Sequence, residues 1–147
     1  DVMSRPPRDP QEKIIDGGRL KLMLFQGGLI AFCSLAAFVF ELFVRKQGLM
    51  AARTAAFIVL SCSQLFHAFN CRSMERPVFS LGIFSNVKLA AAVLVSFLLL
   101  LAAVYMPFFS DIFSVSSPDL SDWAVMVVLS SLPLWCVELM KKVRGRQ

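Results

Sequence analysis

The stretch Leu89–Ser110, LAAAVLVSFLLLLAAVYMPFFS, runs for 22 residues without an Asp, Glu, Lys or Arg. A helix rising about 1.5 Å per residue needs only about 18 such residues to cross the roughly 30 Å hydrocarbon core of a bilayer. Working outward, the charges leave three more gaps: Leu22–Phe40 (19 residues), Thr54–Cys71 (18) and Trp123–Val137 (15). The last reaches span length if it continues to Met140, which puts Glu138 near its end, within reach of interfacial water. No strand-like alternation accompanies the gaps, and backbone in lipid must satisfy its own hydrogen bonds, so each gap reads as a helix. The composition, 57% apolar and 17% charged, excludes a disordered chain, a disulfide scaffold and a soluble enzyme core. The expected fold is all-α, a four-helix transmembrane bundle with helices at about 22–43, 52–71, 88–108 and 122–140.

Charge asymmetry orients the bundle. Arg5, Arg8, Lys13, Arg19 and Lys21 precede the first span; Arg72, Arg76 and Lys88 follow the second; Lys141, Lys142, Arg144 and Arg146 follow the fourth. These twelve cations fall on one side, against Arg45, Lys46 and Arg53 on the other, which also carries Asp111, Asp119 and Asp122. The positive-inside rule then makes both termini cytoplasmic, with a cytoplasmic segment 1–21 and a tail 141–147. An even number of spans requires the same. The cations are dispersed and lack interleaved stacking aromatics, so they read as topology signals and not as a nucleic-acid surface, and the basic balance adds nothing about partners; the lipid bilayer is the partner that the four apolar gaps imply. The chain opens on a polar stretch without an initiator Met, so no secretory signal is expected and a fragment of something longer is.

Cys33, Cys62, Cys71 and Cys136 lie in or at the edges of spans with no C-x-x-C pair, and the chain has one His. They read as small apolar packing groups, not as metal ligands or disulfides. Pro6, Pro7 and Pro10 should hold the first segment extended, and Gly17 and Gly18 should break it before the first span. Gly48 punctuates the first short loop; Pro77 and Gly82 punctuate the second. Met106 and Pro107 should end the third span beside Tyr105, and Asp119–Asp122 should cap the fourth, with Trp123 at headgroup level. Pro133 should kink the fourth helix and free the carbonyl of Leu129, with Ser130 or Ser131 compensating. Gly27, Gly28 and Ala31 form a small-residue patch on the first span, expected to be a helix-packing seam.

The second span carries polar side chains at membrane depth. At 100° per residue, Thr54, Phe57, Ser61, Gln64, His67, Ala68 and Cys71 fall within an arc of about 140°. Hydrogen-bonding groups in hydrocarbon need partners, so this face is expected to look into protein. Two readings stay open: interhelical hydrogen bonding, or an ion or substrate path lined by the Gln64 carboxamide with Ser61 and His67. No nucleophile with a base, phosphate loop or paired intramembrane carboxylates accompanies them, so no catalytic residue is expected.

Several segments resemble those of P-type cation pumps. Asp1-Val2-Met3-Ser4-Arg5-Pro6-Pro7-Arg8-Asp9-Pro10, with Glu12 and Ile14, is similar to the cytoplasmic segment between their sixth and seventh membrane helices. Ala52-Arg53-Thr54-Ala55-Ala56-Phe57, Gln64-Leu65 and Phe69-Asn70-Cys71-Arg72-Ser73 resemble the eighth helix and its exit. Phe84-Ser85-Asn86, Tyr105-Met106-Pro107, Leu120 to Trp123, Ser131-Leu132-Pro133 and Glu138 to Lys141 resemble the ninth and tenth. The resemblance spans essentially the whole of residues 1–147 and is strongest to the calcium-transporting branch, with bacterial or secretory-pathway-like pumps closest.

The resemblance implies a parent that is an ATP-driven pump with a phosphorylated aspartate, using ATP, magnesium and calcium, in the plasma (inner) membrane. This chain would be its C-terminal membrane domain, partnered by the first six membrane helices and the cytoplasmic domains. The phosphorylation motif Asp-Lys-Thr-Gly-Thr and the nucleotide domain are absent, so the chain alone should neither hydrolyse ATP nor transport. Arg5, Pro6, Pro7 and Arg8 are implied contacts to the phosphorylation domain. In pumps of the sarcoplasmic-reticulum type, which move two calcium ions per cycle, a glutamate stands where Gln64 does here and an asparagine where His67 does. Losing the charge weakens a site for a hard cation, and imidazole is a poorer calcium ligand; one calcium ion per ATP is expected. Two alternatives differ in class: a pump for manganese, sodium or protons, and a stand-alone four-helix membrane scaffold or partner protein. The reading frame upstream of Asp1 would separate pump from scaffold.

Overall fold

Long runs of Leu, Ala, Val and Phe favour helix wherever the backbone must bond to itself, and the chain obeys. A computed structural model describes residues 17–71 and 86–144. Helix α1 (Gly17–Val39) continues into a π turn at Phe40–Val44. After a four-residue loop comes α2 (Leu49–Asn70), then α3 (Val87–Tyr105), a short α4 (Pro107–Phe113) and α5 (Leu120–Arg144). All but α4 are long and apolar enough to cross a membrane.

Local chemistry explains most boundaries. Gly17 and Gly18 are the first described residues of α1, and the helix takes in Lys21 because a cation at a helix end can extend into the interface. Gly48 stands at φ 90°, a conformation that a side chain would strain, immediately before α2. Asn86 caps α3, its side chain accepting the Leu89 N–H at 3.1 Å. Pro107 ends the third span and also starts α4, where its missing N–H is not needed. Asp122 reaches back to accept the Asp119 N–H at 2.8 Å, as a third-position acid does at a capped helix start.

Four contacts fix the directions of the spans. Ser34 on α1 donates to the Ala56 carbonyl on α2 at 2.9 Å, and Arg45 after α1 bonds Asp122 on α5. Ser63 on α2 donates to the Ser130 carbonyl on α5 at 3.3 Å, and Trp123 Nε1 donates to the Tyr105 hydroxyl at 2.7 Å. Successive spans therefore alternate in direction, and the start of α1 shares an end with the finish of α5. The opposite end, which carries the α1–α2 loop, is called the hairpin end below.

The core is Cys33, Ala37, Ala55, Ile58, Val59, Cys62, Leu100, Val104 and Met126, with α2 packed between α1 and α5. Small residues on α2, among them Ala52 and Ala55 at 0% exposure, allow that close approach. In α2 39% of the apolar window is buried, but in α3 only 11%, so α3 rides on the edge of the block. Pro133 is buried within a continuous α5. Ser130 and Ser131 turn their hydroxyls back onto the carbonyls of Val127 and Val128, at 3.0 and 2.8 Å. The Ser130 carbonyl, three residues before the proline, is the one that α2 reaches through Ser63.

Candidate functional site

Two regions bring polar side chains together. The first is the α2 face singled out by periodicity. Gln64 is exposed on the outside of the four-helix block, while Ser61 and His67 are half-buried. His67 Nε2 lies 3.3 Å from the sulfur of Cys71, one turn on. The polar residues of α2 that turn into the block are Thr54 and Ser63, with Asn70 at the far end. Gly27, Gly28 and Ala31 on α1 are likewise exposed, and a Cβ added at either glycine would meet nothing within 4 Å. The small-residue patch is therefore not a seam between these four helices. Arg5, Pro6, Pro7 and Arg8 lie outside the described residues.

The second region lies at the hairpin end. The π turn closes with the Arg45 N–H on the Phe40 carbonyl at 3.0 Å and directs both Glu41 and the Arg45 guanidinium toward α5. There Arg45 bonds Asp122 through Nη1 and the Ser121 hydroxyl through Nη2, the latter at 3.1 Å. Glu41 sits 3.6 Å from the same Nη1. Beside this cluster Thr54 clamps the loop before α5: its hydroxyl donates to the Met50 carbonyl at 2.9 Å and accepts the Ser116 N–H at 2.8 Å. Between the loop and α2 lies a cavity of about 340 Å³, its wall including Gln47, Thr54, Ser116, Asp119 and Asp122.

Sequence reasoning assigned Arg45 to topology and Asp122 to capping and passed over Glu41. The signal that could have found the cluster was a Glu and an Arg at i and i+4 at a span end, opposite an acid-rich loop. Among the described residues no group of three or more His, Cys, Asp and Glu is arranged to hold a metal ion. Cys33 and Cys62 are buried, Cys136 is half-buried and Cys71 exposed, all as free thiols.

The arrangement is one of bracing, packing and charge placement. The family described as Cation transporting ATPase, C-terminus, matches residues 1–143. The chain belongs to this family. Its relatives among cation-transporting ATPases include the calcium-transporting ATPase 1 of Bacillus cereus, 35% identical over 96% of this chain and 18% of that protein. The calcium-transporting ATPase of Bacillus subtilis is 36% identical over 90% of this chain and 15% of its own length. The calcium-transporting ATPase 1 of Saccharomyces cerevisiae is 31% identical over 100% of this chain and 15% of its own. The chain thus spans less than a fifth of the length of these cation-transporting ATPases and corresponds to their C-terminal membrane region. It is thus a membrane protein of the P-type ATPase family, with four helices long and apolar enough to cross a bilayer.

Proposed function

We propose that the chain is the C-terminal membrane block of an ATP-driven calcium pump, bracing the ion-translocating helices that the rest of the pump supplies. The observation that carries this reading is the family match over residues 1–143, shared with bacterial and yeast proteins named as calcium-transporting ATPases. The exposed faces support it. Gln64 with Ser61 and His67 on α2, and Gly27, Gly28 and Ala31 on α1, look out of the block with properties suited to helix partners and poorly suited to lipid. The first six membrane helices are the partners in this reading. ATP and magnesium act on the cytoplasmic domains, which the segment Arg5, Pro6, Pro7 and Arg8 contacts.

Both termini face the cytoplasm in this reading, which the twelve cations at that end support, and the membrane is the plasma (inner) membrane. Gln64 offers one neutral oxygen where a carboxylate would be needed to complete a second site for a hard divalent cation. The pump therefore moves one calcium ion per ATP through ligands on the other helices. The test is ATP-dependent uptake of radiolabelled calcium by vesicles containing the full-length pump, with phosphate release measured in parallel. Calcium uptake at one ion per ATP is expected. A ratio of two overturns the single-site reading, and uptake of another cation without calcium overturns the calcium assignment.

A further inference from the structure

Glu41 lies inside the block at 2% exposure, and among the described residues neither of its carboxyl oxygens has a hydrogen-bond partner. The nearest donor, Arg45, aims its hydrogen bonds at α5. Arg45 gives Nη1 to Asp122 and Nη2 to Ser121, and Asp122 takes the Asp119 N–H on its other oxygen. Glu41 keeps an ion contact of 3.6 Å to the same Nη1, beyond hydrogen-bond reach. The charged groups facing it are Arg45 on its own turn and Asp122 from α5, while Lys46 and Arg53 at the same end are exposed.

Two carboxylates thus share one guanidinium, and Glu41 is the more deeply buried of the two. With both ionised the cluster would hold an uncompensated negative charge, and desolvating an ionised carboxylate costs far more than one contact beyond hydrogen-bond reach returns. A single proton neutralises the cluster. Asp122 engages both oxygens with donors and Glu41 neither, so the proton belongs on Glu41.

We propose that Glu41 is a proton-binding site and that Arg45 moves from Asp122 to Glu41 when that proton leaves. In the exchange the Glu41 O–H bond breaks and its proton passes to water at the hairpin end. Arg45 Nη1 changes acceptor from Asp122 to the new carboxylate, and nothing is oxidised or reduced. The swap also takes the guanidinium off Ser121, so the first turn of α5 loses its tie to the α1–α2 hairpin. Proton occupancy of one buried carboxyl thereby controls a contact between the first and last spans. This site goes beyond the calcium reading and does not depend on which ion the pump carries.

The test is infrared difference spectroscopy of the full-length protein in lipid vesicles, stepped from neutral to alkaline pH. The wild type should show the carbonyl stretch of a protonated carboxyl that disappears at alkaline pH and is missing at every pH in E41Q. In D122N, where Arg45 is free to pair with Glu41, that band should already be missing at neutral pH; in R45Q it should persist to higher pH than in the wild type. Identical spectra for the wild type and E41Q overturn the proposal, and a band that survives in D122N overturns the exchange. Thermal unfolding gives a second readout. Gln is a neutral isostere of protonated Glu, so E41Q should unfold at or above the wild-type temperature, and an E41Q protein that fails to fold or unfolds earlier also overturns the proposal.

Discussion

The hairpin-end cluster of Glu41, Arg45 and Asp122 and the α2 face of Ser61, Gln64 and His67 are both polar and both belong to membrane helices, yet they stand in opposite relations to the block. The first is closed within it: Glu41 is buried, and Arg45 joins the end of α1 to the start of α5. The second faces out, with Gln64 exposed. A polar group closed within the four helices acts on the block itself. A polar group on its outside has meaning only against a neighbour, which the first six helices of a full pump would provide. The difference separates what these 147 residues do for themselves from what they would do for a full pump.

The comparison breaks most visibly at Arg45. Arg45→Ala removes the cation from the closed cluster and leaves Asp122 without its ion pair, so it should cost about 3 kcal/mol and lower the unfolding temperature of the full-length protein in detergent. Packing comes next. Ala55 has 0% exposure where α2 meets its neighbours, and Ala55→Leu should cost about 2 kcal/mol by overpacking in the same assay. Ser63→Ala should cost only about 0.6 kcal/mol, the average for an interhelical hydrogen bond in a membrane; a loss several times larger would mean that the Ser130 carbonyl beside Pro133 depends on Ser63. The smallest effect sharpens the outward side of the comparison. Gln64→Ala should leave the calcium transported per ATP unchanged, and a fall in that ratio would make Gln64 an ion ligand.

The four spans were legible because charge is costly in hydrocarbon and the gaps between charges are long. Their ends were less so. A charge marks where a side chain needs water, not where the backbone stops being helical, so α1 already includes Lys21 and α2 begins at Leu49, with Arg53 inside it. The hairpin cluster was hidden for a related reason. Glu41 looked like the charge that ends a gap, Arg45 a loop cation and Asp122 a cap, and each has that ordinary local role. Only the packing of α1 against α5 unites them, and no periodicity within one helix reports it. For α2 the 3.6-residue repeat grouped Gln64 with Ser61 and His67, but it could not tell which face meets α1 and α5. The small residues Ala52 and Ala55 decided that, because they let the neighbouring helices come close.

The most direct measurement places the two faces in the complete protein. Single cysteines at Gln64 on α2 and at Leu94 on the exposed surface of α3 would be introduced into the full-length pump and challenged with a thiol reagent confined to the hydrocarbon phase. Labelling at position 94 above the background of the native cysteines is expected, and none above it at position 64, which the other membrane helices cover. Equal labelling at both positions would contradict this, since the polar face of α2 would then meet lipid and not the rest of a pump.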